Sequence, residues 1–141
     1  MIVLDTNVVS EPMRANADPA IQHWLDQQVA ETLYLTVTSL SELLVGIEIL
    51  PEGRRKEGLD TALTQLVERL FASRILPFNQ PAGVVYARLV GRARAAGRTI
   101  SVADGQIAAI ASVYGFAVAT RDTEPFVAVG VPVINPWQAN L

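Results

Sequence analysis

Four acidic residues stand where carboxylates can do chemistry. Asp5 follows the apolar run MIVL, Glu42 lies in SLSELLVGI, Asp104 in SVADGQIAAIA and Asp122 in ATRD. Like charges gathered in one cleft raise one another's pKa and are stable only with protons or a cation between them. A hard divalent cation answers that need. Mg²⁺, with Mn²⁺ as the alternative, favours carboxylate and water oxygens. Each acid also has a plainer reading. Asp5 and Asp122 suit turns, Glu42 a solvated helix face, and Asp104 the first turn of a helix, where the macrodipole favours negative charge. The choice depends on whether the fold delivers all four to one place.

Competing chemistries fit poorly. The chain has no cysteine and one histidine, His23, inside an amphipathic segment that makes it structural or solvated. Zinc is therefore poorly supported. There is no GxxxxGK, GxGxxG or GxSxG pattern, which removes the phosphate-cradling, dinucleotide and nucleophile-elbow signatures. Ser39, Ser41 and Ser101 have no histidine partner nominated by spacing. A receiver-type phosphoryl-transfer domain lacks a second Asp beside Asp5, and the one lysine, Lys56, falls in a charged loop.

The elements that must position the acids read as alternating strands and helices. Strands are expected at 1–5, 33–37, 74–77 (a short edge strand), 116–120 and 131–134. The segment DPAIQHWLDQQ reads as a helix with Asp18 at the N-cap and Pro19 first. Ile21, Trp24, Leu25 and Gln28 mark its largely apolar face. Another helix starts at Thr38 or Ser39, with Leu40, Leu43, Leu44 and Ile47 as its buried stripe, and stops before Pro51 and Gly53. Further helices are expected over 58–71, over 81–97 with a C-cap at Gly97, and from Ser101 to Gly115. This order predicts a three-layer α/β/α sandwich with a mainly parallel sheet. Such sheets keep their sites beyond the strand C-termini. Asp5, Asp122 and Glu42 then fall at one edge, and Thr6 and Asn7 join Asp5.

Composition agrees with one packed domain over 1–141. Half of the residues are hydrophobic and 18% are charged, which is far from a disordered composition. Absence of cysteine indicates no disulfides. No basic leader with a cleavage site is visible, and no apolar run approaches the roughly 20 residues of a membrane span. A cytoplasmic protein is expected. The net charge of −3 argues against a broad nucleic-acid-coating surface. Yet Arg88, Arg92, Arg94 and Arg98 lie within eleven acid-free residues. They read as a solvated helix face or as phosphate contacts. Arg88 and Arg92 share one helix face, and Arg94 and Arg98 form a second four-apart pair.

With these motifs in order along nearly the whole chain, the sequence resembles the PIN-domain family. The resemblance is to toxin nucleases of the VapC type, with the FitB-like branch the nearest in appearance. MIVLDTNVVSE, SLSELLVGI, LPEGRR, DGQIAAIA, ATRD and VINPW carry it together. The resemblance implies a magnesium-dependent endoribonuclease that hydrolyses phosphodiesters without a covalent enzyme intermediate. It also implies a homodimer, and a small antitoxin with a DNA-binding start and an inhibitory C-terminal peptide that can send an arginine toward the acids. The family's four acids map onto Asp5, Glu42, Asp104 and Asp122, with Asp5 and Asp104 the foremost metal ligands. Thr6 is expected to hydrogen-bond a phosphate or a metal-bound water, and Asn7 to hold the loop. Relatives often carry an acid just before the phenylalanine of the last motif. Here Pro125 stands there, with Glu124 one residue earlier as a shifted support. Leu43, Leu44 and Ile47 supply an apolar wall for the antitoxin unless they are wholly core. The alternatives are a DNA or structured-flap nuclease, since the same metal chemistry cleaves either backbone, and a non-catalytic protein-binding domain.

Overall fold

A computed structural model describes residues 1–138; the last three residues of the expected 1–141 domain lie outside the described residues. The first half runs β1 (Ile2–Leu4), α1 (Thr6–Ser10), α2 (Pro19–Asp26), β2 (Leu33–Thr36), α3 (Val37–Glu48) and α4 (Arg54–Leu66). The second half runs β3 (Ile75–Leu76), α5 (Gln80–Ala95), α6 (Val102–Tyr114), β4 (Ala117–Ala119), α7 (Glu124–Ala128) and β5 (Val133–Ile134). Every strand pairing is parallel, in the order β3-β2-β1-β4-β5. From the central β1 the chain winds outward through β2 and β3, then returns to place β4 on β1's other side. That reversal opens a crevice between the C-terminal ends of β1 and β4, the place where an open α/β sheet binds ligands.

The strand side chains alternate between two cores because successive residues point to opposite faces. Val3 and Val118 face a cluster with Leu89, Ile107, Ile110 and Phe126. Leu4, Leu33, Leu35 and Ala119 face the other, with Val8, Ile21, Leu43, Leu63 and Phe71. Helices α5, α6 and α7 thus cover one face and α1 to α4 the other. Each large side chain buried this way contributes about 1.5–3 kcal/mol. In α6, residues Ile107 to Ala111 are all fully buried, so this stretch of the helix is buried around its whole circumference. Its Gly105 lets α5 approach: a Cβ there would lie 2.8 Å from Tyr86 Cε2.

Caps set most of the boundaries. The Asp18 carboxylate accepts from Ala20 N at 2.9 Å, with Pro19 first in α2. The Asn79 and Ser101 side chains cap α5 and α6 by accepting from Ala82 N and Asp104 N. Gly97, at φ +75°, follows the end of α5 and closes it: Arg98 N donates to the Ala93 carbonyl and Gly97 N to the Arg94 carbonyl. That is the double bond pattern of a Schellman cap.

The structure corrects four expectations. Val37 opens α3 instead of ending the second strand, because the Thr36 hydroxyl accepts from Ser39 N and caps the helix one residue earlier. Helix α4 begins at Arg54, not at 58, directly after Gly53 with its positive φ of 149°; a π turn, Val67–Phe71, ends it. Leu44 is 45% exposed while Leu43 and Ile47 are buried, since Leu43 and Ile47, four apart, share a face that Leu44 does not. Arg98 lies past the end of α5, so Arg94 and Arg98 are not a helical pair; Arg98 instead meets Glu124 at 3.6 Å.

Candidate active site

The site is built where four chain segments meet: the ends of β1 and β4 and the early turns of α3 and α6. Asp5 is the residue after β1, and Thr120 the residue after β4. The register that pairs Leu4 with Ala119 carries Asp5 and Thr120 side by side. Asp5 is buried, at 6% exposure. Its Oδ1 accepts from Thr6 N at 2.7 Å and its Oδ2 from Thr120 Oγ1 at 2.8 Å. Glu42 projects from the second turn of α3 and is exposed; its Oε1 accepts from Thr6 Oγ1 at 2.9 Å. Asp104 stands in the first turn of α6. Asp122 lies two residues past Thr120, and its N donates to Thr120 Oγ1 at 3.1 Å.

A cavity of about 290 Å³ is lined by Asp5, Thr6, Asn7, Ser10, Glu42, Asp104 and Asp122. All four acids face it and no basic side chain does. The ion pairs among the described residues are Arg14 with Glu11, Lys56 with Glu52 and Arg98 with Glu124, so none of the four acids is paired. Their electrostatics form one unit. Burial pushes the Asp5 carboxyl from its ordinary 3.8 up to about 6; the Thr120 and Thr6 hydrogen bonds oppose this, while Asp104 and Glu42 repel and add to it. Burial also raises Asp104, against the Ser101 hydrogen bond and with repulsion from Asp122 and Glu42.

The donor set fits a hard divalent cation: carboxylate, hydroxyl and carboxamide oxygens, with no sulfur or imidazole. Among the described residues no group of three or more His, Asp or Glu side chains encloses one ion. Mg²⁺ does not require such a cage, because it keeps several of its waters and is bound through one or two carboxylates. The open, acid-lined cavity suits that mode better than it suits a fully protein-ligated ion.

Other expected site residues are placed differently. Asn7 bridges the two strand ends: its Oδ1 accepts from Arg121 N at 3.3 Å and its Nδ2 approaches Thr120 Oγ1 at 3.5 Å. Glu124 is outside the acidic cavity; it borders a separate small recess with Arg98. Arg88, Arg92 and Arg94 are exposed on α5, and none of the four arginines lines the acidic cavity. Three other arginines, Arg14, Arg54 and Arg55, lie in the lining of an adjoining groove. That groove, of about 970 Å³, shares Thr6, Ser10 and Glu42 with the acidic cavity. Its floor includes Met13, Leu43, Ile47, Leu50 and Leu59. Sequence reading passed over Thr120, Ser10 and this arginine set. LPEGRR did hold two of the arginines, but the α3–α4 connection that brings them near Glu42 is visible only in the fold.

The chain has counterparts among known proteins. The PIN domain family model matches residues 2–131. The chain is similar to the VapC ribonuclease Y4jK of Sinorhizobium fredii, 46% identical over 98% of this chain and 99% of that one. It is also similar to the toxin FitB of Neisseria gonorrhoeae, 44% identical over 97% of this chain and 99% of that one. A crystal structure of FitAcB from Neisseria gonorrhoeae superposes with a TM-score of 0.93 at 43% identity, covering 98% of this chain and 99% of that one.

Proposed function

We propose, from the premise that this chain belongs to the PIN-domain family, that it is a Mg²⁺-dependent endoribonuclease. In this reading it is the toxin of a type II toxin–antitoxin pair. The observation that carries the reading is the convergence of four unpaired carboxylates on one cavity with no basic side chain in its lining. The relatives named VapC ribonuclease and toxin FitB support the substrate and the role.

Asp5 and Asp104 are the residues to hold the ion directly, and Glu42 and Asp122 hold it directly or through water. When bound, the ion lowers the pKa of an attacking water and stabilises charge on the phosphate and the leaving oxygen. The chain's own groups do the rest. Asp5 is fixed through both oxygens, so its carboxylate geometry is set before any ligand arrives. The Thr6 hydroxyl donates its one proton to Glu42, so its first task is to orient that carboxylate; its remaining lone pairs accept from water. Asn7 ties the loop after β1 to the loop after β4. No step requires a covalent enzyme intermediate.

The antitoxin seat in this reading is the groove beside the acids. Leu43 and Ile47, themselves buried, form part of its floor, and Leu44 is outside its lining. An arginine from the bound peptide would pair with the carboxylates and compete with the ion. The protein acts as a homodimer in this proposal. Among the described residues no helix is long and apolar enough to cross a membrane.

The test is cleavage of unstructured RNA with Mg²⁺ or Mn²⁺, with matched DNA, EDTA and Asp5→Asn arms. The expected result is RNA cleavage that EDTA abolishes and Asp5→Asn reduces by at least about 100-fold, as loss of a metal ligand would. Cleavage that survives both controls overturns the metal mechanism. Preference for DNA overturns the ribonuclease assignment. Co-purification with the product of the adjacent gene, with suppression of cleavage, tests the toxin role.

A further inference from the structure

Thr120 is fully buried, and its hydroxyl is used at every valence. A hydroxyl has one donor proton and two acceptor lone pairs. The proton goes to Asp5 Oδ2 at 2.8 Å. The lone pairs face Asp122 N at 3.1 Å and, more weakly, Asn7 Nδ2 at 3.5 Å. One side chain at the end of β4 therefore ties the acid of β1, the acid of the β4 loop and the loop after β1. The other polar partner of Asp5, Thr6 N, is a backbone group that no side-chain substitution removes. Asp5 Oδ2 thus depends on one side-chain donor alone.

We infer that Thr120 is a positioning residue: its hydroxyl aims the Asp5 carboxylate and fixes the Asp122 loop so that the two acids present one divalent-cation site. This inference rests on the metal-site reading above and deepens it. Thr120 touches neither the ion nor the substrate in this assignment. It acts through Asp5 and Asp122, as hydrogen-bonded partners behind metal ligands commonly do. A valine at 120 fills the same volume on the strand and leaves Asp5 Oδ2 without its donor and Asp122 N without its acceptor. A serine keeps the hydroxyl and loses only the methyl.

Calorimetric Mn²⁺ titration of the full chain tests this, with thermal melting in EDTA as the measure of folding. Wild type, Thr120→Val, Thr120→Ser and Asp104→Asn are compared. The expected result is a 10- to 100-fold weaker Mn²⁺ affinity in Thr120→Val, about the range for such partners, with Thr120→Ser close to wild type. Thr120→Ala replaces Thr120→Val as the deciding variant if the latter does not fold. Wild-type affinity in a folded Thr120→Val or Thr120→Ala protein overturns the inference. So does an equal loss in Thr120→Ser, because the hydroxyl would then not be the acting group. Asp104→Asn separates the two levels. If it binds Mn²⁺ like wild type, the metal-site reading fails; if it loses binding while Thr120→Val does not, only the role of Thr120 fails.

Discussion

The cavity at the carboxyl edge of the sheet and the outer face of α5 hold charge in opposite ways. In the cavity, four acids come from positions 5, 42, 104 and 122 and face one space of about 290 Å³. On and just past α5, four arginines come from eleven consecutive residues, yet none lines that space. They point into solvent, and Arg98 turns away to Glu124. Charge that is dense along the chain is thus spread over a surface, and charge that is sparse along the chain is concentrated in a cleft. The cause is topological. Parallel strands and the helices that follow them bring the residues after β1, after β4, in the second turn of α3 and in the first turn of α6 to one edge. A single helix distributes its residues around its own axis.

Neutralising the acids has the largest expected effect. Asp104→Asn is expected to reduce RNA cleavage by at least about 100-fold with little change in melting temperature, because Asp104 is only half-buried in a first helical turn. A cleavage rate within a few-fold of wild type would dissolve the contrast between the two regions.

Asp5 should show the same electrostatics as a stability effect. Its carboxyl is raised from 3.8 to about 6 in the folded chain, so folding favours the protonated form. Its contribution to stability is full below about 4 and is lost as pH rises through about 6. In EDTA, wild-type stability should therefore fall across that window. Asp5→Asn should lack this component and be the more stable protein at pH 8, by on the order of 1–3 kcal/mol. Chemical denaturation at pH 4, 6 and 8 checks it. A wild type whose stability rises through the window, relative to the variant, contradicts the sign. Adding Mg²⁺ at pH 8 should restore the wild type and leave the variant unmoved.

Smaller effects separate the two groups of arginines. In an inactive background, Arg54→Ala/Arg55→Ala should weaken RNA binding and flatten its salt dependence, since these side chains border the groove that joins the acidic cavity. Arg88→Ala/Arg92→Ala should change affinity by about twofold or less, in line with exposed substitutions away from a site. A larger effect from the α5 pair would place the substrate path on the other side of the molecule. The smallest change is expected at Ser39, whose buried hydroxyl has no hydrogen-bond partner among the described residues. Ser39→Ala should leave stability unchanged or slightly increased, read from the same denaturation curves.

The sequence made the layer order and the acids legible because their signals are local. Apolar runs ending in Asp5 and in ATRD, Pro19 and Asp18 at a helix start, and Gly115 at a helix end each report on a few neighbouring residues. What stayed hidden depends on partners distant in sequence. Thr120 reads as the last residue of a strand until the register sets it against Asp5. Leu44 reads as core until the packing of α3 buries the face of Leu43 and Ile47 instead. Glu124 and Arg98, each a candidate for the site, prove to be each other's partner. The first turn of α4 escaped notice because RRKE is strongly charged, and its helical start is set by Gly53 and the packing of Leu59 and Leu63 further on.

In the proposed function the four acids form one cation site that drives RNA cleavage. Manganese occupancy, followed by electron paramagnetic resonance, and the RNA cleavage rate should be measured in the same samples for wild type and Asp5→Asn/Asp104→Asn. Cleavage by wild type is predicted to rise in step with Mn²⁺ occupancy, and the double variant to lose both while remaining folded. Mn²⁺ binding that persists unchanged in the double variant, or cleavage by wild type at zero occupancy, would contradict the account.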